Sequence, residues 1–183
     1  MVRIALETGI STMSMLDRLG TNPTQVLGVI SFATAMIACL SALRTSTLRD
    51  RRTWKVLAFM NSLFLIEVVV GLRFRILEFS RASLKAEGLY YQLHGGIQKV
   101  TVFSIATVAL VSVILLLVLR PFAGSSARVA VSMTIVILAL FATEAISLHE
   151  LYAVLYRAIG PVALIGWLWA IAAAGTTLAA FLG

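Results

Sequence analysis

Residues 113–119 read VILLLVL and complete an apolar segment that runs from residue 97 to residue 119. Lys99 is the only charged residue in this segment. Because an α-helix rises about 1.5 Å per residue, a segment of this length crosses the roughly 30 Å hydrocarbon core of a membrane. The segment therefore predicts a transmembrane helix.

Four other segments have the same character and are separated by short polar stretches. They lie at residues 24–43, 53–72, 129–148 and 161–182. Of the 183 residues, 60% are hydrophobic and 13% are charged, whereas soluble domains carry roughly 45–50% and roughly 25%. We therefore predict an all-α, polytopic integral membrane bundle of five transmembrane helices with short loops, forming a single domain over residues 24–183.

The ends of three segments carry further signals. Residues 1–23 are predicted to form a tail or a short interfacial helix, because apolar residues recur there at helical spacing. Apolar positions beyond residue 72 allow the second helix to extend to residue 85. The fourth could extend as an amphipathic segment to residue 156, before Gly160 and Pro161 end it.

Basic residues outnumber acidic ones and give a net charge of +7. They are dense in the loop after the first segment, at Arg44, Arg49, Arg51, Arg52 and Lys55. Short basic loops favour the cytoplasmic side, so we expect the N-terminus outside and the C-terminus in the cytoplasm of a bacterial inner membrane. The expected surroundings are the lipid bilayer and other membrane subunits or further copies of the chain. No loop is long enough to dock nucleic acid, so no such partner is expected.

Acidic residues concentrate toward the opposite side of the predicted bundle. Glu67 lies 14 residues beyond Thr53, and Glu144 lies 15 residues beyond Val129. Both carboxylates are thus predicted at nearly the same depth, roughly 21–22 Å along parallel helices. The candidate intramembrane polar site at this level comprises Glu67, Arg73, Arg75, Glu144, His149 and Glu150.

Several interpretations of this polar level remain open. Pairing of Glu67 or Glu144 with an arginine would tie helices together. Alternatively, the two carboxylates could exchange protons or bind a cation, with His149 leading outward. No interrupted pair of helices or inverted repeat is visible in the sequence to favour a transporter.

Cofactor and metal binding are two further alternatives. His94 and His149 are the candidate ligands for a haem or a chlorophyll-type pigment, because a neutral imidazole can bind either metal. Glu67, Glu144, His149 and Glu150 include the ligand types of a non-haem iron or zinc site. Glu144 and His149 are not spaced as a helical ligand pair, so the presence of a metal is left open.

The last segment contains a ladder of small residues, Gly166, Ala170 and Ala174. Small residues four apart let another helix approach closely. Together with the absence of a catalytic motif, this ladder favours a non-catalytic membrane subunit that assembles with itself or with a larger membrane complex. A small transporter using Glu67 and Glu144 is the alternative, and a haem- or pigment-binding subunit a further one. Whether the chain is an enzyme stays open, although nothing in the sequence favours catalysis.

Overall fold

The computed structural model describes residues 22–71, 96–119, 124–146 and 149–182. Only the backbone is described at residues 49, 96–99, 116–119, 145–146, 149–150 and 152. Nearly all of the described chain is helical. The elements are α1 (Pro23–Thr45), α2 (Leu48–Val70), α3 (Gly96–Leu119), α4 (Ser125–Ile146), α5 (His149–Leu155), β1 (Ala158–Ile159), β2 (Val162–Ala163) and α6 (Leu164–Leu182).

Four of the helices, α1, α2, α4 and α6, are long and apolar enough to cross a membrane. Helix α3, with 24 residues, is the fifth apolar helix. The prediction of an all-α membrane bundle is therefore confirmed. Its cause is the long uncharged blocks, since a helix satisfies every backbone hydrogen bond within itself where no water is available.

Local signals in the sequence set the ends of α1 and α2. The side chain of Asn22 accepts hydrogen bonds from the backbone N–H groups of Thr24 and Gln25, at 3.0 and 3.4 Å, and caps α1. Helix α2 ends at Val70 because Gly71 has a φ of 63°, and the Gly71 N–H donates to the Glu67 carbonyl at 2.7 Å. The extension of this helix toward residue 85 falls on residues outside the described ranges.

Four helices form the packed core of the bundle. Helix α1 packs against α2 and α6 along most of its length, and α4 packs against α6 and, less extensively, α2. Helix α3 lies outside this group and packs against α4. Among the described side chains of α3, at residues 100–115, none is buried, so this helix is peripheral.

Successive spans alternate in direction, which gives the bundle two distinct ends. We call the end at which α2 and α4 finish the carboxylate end, because Glu67 and Glu144 lie near it. The opposite end, at the turn between α1 and α2, is called the basic end. Large side chains dominate the core toward the carboxylate end, whereas alanines dominate it toward the basic end.

A short β-hairpin at the carboxylate end was not expected from the sequence. Strands β1 and β2 pair antiparallel, with Ala158 opposite Ala163 and Ile159 opposite Val162. Gly160, with a φ of 66°, and Pro161 form the turn between them. Helix α5 ends at Leu155 just before the hairpin, so the chain reverses here and enters α6 without a long loop.

Candidate functional site

An aromatic layer crosses the four-helix core toward the carboxylate end. Each of the four helices supplies one ring to it, and the members are Phe32 of α1, Phe64 of α2, Phe141 of α4 and Trp169 of α6. Neighbouring ring centroids lie 5.3–6.3 Å apart. Separations of this size are typical of favourable aromatic pairs, which stabilise a core beyond the area they bury.

The aromatic layer sets the relative height of α2 and α4. Phe64 stacks on Phe141 with ring centroids 5.3 Å apart, so these residues lie at the same level on two parallel helices. Glu67 and Glu144 each come three residues later, about 4.5 Å nearer the carboxylate end. The two carboxylates thus occupy one level, immediately above the aromatic layer.

Glu144 is the more deeply placed of the two acids. Its side chain is only 2% exposed, and its Oε1 accepts a hydrogen bond from the Tyr156 hydroxyl at 2.5 Å. Tyr156 directly follows α5, and its neighbour Leu155 is buried in the core, which brings the tyrosine toward the bundle. A buried carboxyl group requires hydrogen bonds to offset its lost hydration, and Tyr156 supplies one of them.

Hydrogen bonds at the level of the two carboxylates join α1 to α2 and to β2. Glu67 is half-buried on α2. The Gln25 side chain donates to the carbonyl of Val68 at 2.7 Å, linking the start of α1 to the end of α2. The Thr24 hydroxyl accepts from the Ala163 N–H at 2.9 Å, linking α1 to β2. These bonds fix the helix ends around the two carboxylates.

Two glycines, one on α1 and one on α6, allow neighbouring elements to approach closely at this level. A Cβ atom at Gly28 would lie 3.1 Å from a methyl group of Val68 and 3.2 Å from the Trp169 ring. A Cβ atom at Gly166 would lie only 2.8 Å from methyl groups of both Thr24 and Val162. Larger residues would push α1, α2 and α6 apart at this level.

The structure describes no side chain for the other residues of the sequence-based candidate site. Arg73 and Arg75 lie outside the described ranges, as does His94, one of the two candidate cofactor ligands. His149 and Glu150 are the first two residues of α5, with backbone positions only. Within the described part of the chain, no group of three or more His, Cys, Asp or Glu side chains is arranged to hold a metal ion.

Tyr156 is a site residue that sequence reasoning missed. The sequence places it on one stripe with His149 at the end of an amphipathic segment, but gives no reason to pair it with a carboxylate 12 residues earlier. That pairing joins the end of α4 to the residue that follows α5, so it depends on the tertiary structure. A tyrosine following an acidic residue near a helix end is a signal, but one too common to be specific.

The small-residue ladder of α6 does not lie on one buried stripe. Gly166 is buried against Thr24 and Val162, Ala170 is half-buried, and Ala174 is exposed. The buried face of α6 in its middle and end instead consists of Ala172, Ala173, Thr176, Ala179 and Ala180. The packing within the chain therefore leaves Ala174, the last residue of the ladder, exposed on the outer face of α6.

Comparisons of the chain with protein-family models, with curated proteins and with solved structures give no match.

Proposed function

We propose that the chain is a non-catalytic integral membrane subunit that assembles with further copies of itself or with a larger membrane complex. The observation that best supports this role is the tightly filled core of the bundle. Phe32, Phe64 and Trp169 are each at most 4% exposed and fill the four-helix core at the level next to Glu67 and Glu144. Above them, Glu144 is held by Tyr156 inside the same chain. This arrangement suits a stabilising role for the acid.

The outer face of α6 is the proposed assembly surface. Ala174 is exposed there between larger exposed apolar residues, Ile171 and Leu178. A small residue flanked by large ones creates a depression into which a ridge of another helix can pack. Because Ala174 is exposed, a larger side chain at this position would disturb a partner helix and leave the chain's own packing unchanged.

Native mass spectrometry from a mild detergent tests this proposal. The wild-type chain is expected at a mass above that of one chain, and Ala174→Leu is expected to shift the distribution toward the single chain. Ala106→Leu is a matched control, because Ala106 is exposed on the peripheral helix α3. A wild-type chain that is monomeric both in detergent and after crosslinking in its membrane would refute the assembly role.

Proton or cation transport is the second candidate. It is supported by the shared level of Glu67 and Glu144, one helical turn above a stacked pair of rings. Ionisable groups at membrane depth often mark ion pathways. Purified protein in vesicles loaded with a pH-sensitive dye would report proton flux. Loss of flux in both Glu67→Gln and Glu144→Gln, with unchanged assembly mass, would favour transport over the stabilising role.

We propose further that the basic end faces the cytoplasm of a bacterial inner membrane, with the N-terminus outside. Dense cations beside a short turn support this orientation. Leu48→Cys at the basic end and Ile159→Cys in the hairpin, each in a Cys39→Ala background, introduce exposed thiols at opposite ends. A membrane-impermeant thiol reagent added outside is expected to label the second and spare the first. The reverse pattern would invert the orientation.

A further inference from the structure

The basic end carries a concentrated positive surface. Helix α1 ends at Thr45 and α2 begins at Leu48, so two helix ends lie within one short turn. Four exposed cations surround this turn, and we call them the basic cluster: Arg44, Arg51, Arg52 and Lys55. Among the described residues, no ion pair joins any of the four to an acidic side chain.

The acid of this region is turned inward, away from the basic cluster. Asp50 is the only acidic residue between positions 23 and 66. Its side chain is 8% exposed, and its Oδ2 accepts a hydrogen bond from the Thr47 hydroxyl at 3.4 Å. The same oxygen lies 3.3 Å from the position that a Cβ would take at Gly124, just before α4. Asp50 therefore leaves the exposed cations unneutralised.

An exposed apolar stripe leads away from the basic cluster along α2. Arg52 is followed at helical spacing by Val56, Phe59 and Leu63, of which Val56 and Phe59 are 59% and 60% exposed. From Arg52 to Leu63 the stripe is about 16 Å long. This length matches one leaflet, about half of the roughly 30 Å hydrocarbon core.

The neighbouring helix repeats the pattern in the opposite chain direction. On α1, Arg44 is preceded at helical spacing by Leu40 and Ile37, and both apolar side chains are exposed. Helices α1 and α2 pack against each other. Each of the two helices thus combines a cation at this end with exposed apolar side chains along its length, over about 16 Å on α2 and about 10 Å on α1.

We propose that the basic cluster binds the phosphate headgroup of an anionic phospholipid, with an acyl chain lying along Val56, Phe59 and Leu63. The uncompensated positive charge selects an anionic group, and the stripe adds a requirement for a hydrocarbon chain beside it. A free phosphate ion would use the cations alone. This inference does not depend on the proposed assembly, because a monomer would present the same surface.

Native mass spectrometry with dioleoyl phosphatidylglycerol, compared with dioleoyl phosphatidylcholine, measures the binding. We expect phosphatidylglycerol adducts to form at lower lipid concentration than phosphatidylcholine adducts. Each cation near an anionic lipid contributes roughly fivefold in affinity, so the triple variant Arg44→Gln/Arg51→Gln/Arg52→Gln should bind roughly a hundredfold more weakly. The corresponding Arg→Lys variant keeps the charge and should retain most of the affinity.

Two controls separate a specific site from general attraction. Arg157→Gln removes an exposed cation just before the hairpin at the other end and should leave the first adduct unchanged. Phe59→Ala keeps the charges but removes part of the acyl-chain surface, and should weaken phosphatidylglycerol binding without affecting any effect of inorganic phosphate. Equal binding of the two lipids, or unchanged binding in the triple variant, would overturn the proposal. Displacement of the lipid by millimolar inorganic phosphate, with no effect of Phe59→Ala, would identify a phosphate site and overturn the lipid assignment.

Discussion

The two ends of the bundle differ in their core packing and in the number of exposed cations around them. At the carboxylate end, Glu144 is buried and bonded to Tyr156, directly above four packed aromatic rings. At the basic end, Arg44, Arg51 and Arg52 are exposed around a core of alanines with Trp54 and Leu57, and the acid Asp50 is turned inward. Each end therefore buries one acid, but the exposed cations described by the structure are concentrated at the basic end, with Arg157 the one described at the other end. Substitutions at the two ends should therefore affect different measurements.

The two ends also differ in the size of the side chains that fill their cores. The carboxylate end is filled by large rings, whereas alanines such as Ala38, Ala130 and Ala180 let the helices approach closely at the basic end. Removing ring volume should therefore be harmful in the first region, and adding volume beside the alanines should be harmful in the second. Asn61, Thr134 and Thr176 are buried between these regions, and Thr134 and Thr176 donate to carbonyls of their own helices.

The largest expected effect is at the aromatic layer. Trp169→Ala should lower the free energy of unfolding by roughly 3–5 kcal/mol, because the ring contacts Phe32 and Phe141 and its loss leaves a cavity. Unfolding in increasing sodium dodecyl sulfate, followed by circular dichroism, gives the measurement. Trp167→Ala, at an exposed position two residues away, should cost much less. Equal costs for the two variants would contradict a central role of the layer.

A smaller effect is expected from overfilling the basic end. Ala130 is fully buried among alanines, so Ala130→Leu should destabilise the bundle by roughly 1–3 kcal/mol. The same unfolding measurement applies, with Ala106→Leu on the exposed face of α3 as the matched control. If Ala130→Leu were neutral, the close approach of the helices at this end would not be a source of stability.

The hydrogen bond between Tyr156 and Glu144 should contribute less again. Tyr156→Phe removes the donor and leaves the ring, so we expect a loss of about 0.5–1.5 kcal/mol in unfolding free energy. The double variant Tyr156→Phe/Glu144→Gln completes a cycle that isolates the pair. Fully additive losses would mean that the hydroxyl and the carboxyl do not stabilise each other.

The smallest stability effect is expected at the basic cluster. Arg52 is exposed and, like the other three cations, has no acidic partner among the described residues, so Arg52→Gln should change the unfolding free energy by at most about 0.5 kcal/mol. Its effect should appear in anionic lipid binding alone. A large loss of stability in this variant would remove the contrast between the two ends.

Counting along the chain predicts that Glu67 and Glu144 share one level. The level shared by Glu67 and Glu144 follows from the rise per residue in two parallel helices, and the Phe64–Phe141 stack places the two acids one turn above a common level. Counting could not identify Tyr156 as the partner of Glu144, because that contact depends on where α5 folds. Counting also could not predict which face of α6 is buried, and therefore that Gly166 is buried whereas Ala174 is exposed.

The sequence by itself determined the class of the protein. Blocks of about 20 apolar residues must form membrane-crossing helices, since no other local structure satisfies the backbone in hydrocarbon. Only the tertiary structure decided which helices pack together, that α3 is peripheral, and that the chain reverses through a hairpin at Gly160. The physical reason is that these helices are apolar all round. Hydrophobic pattern therefore does not select a face, and the choice depends on the shapes of side chains brought together from distant parts of the chain.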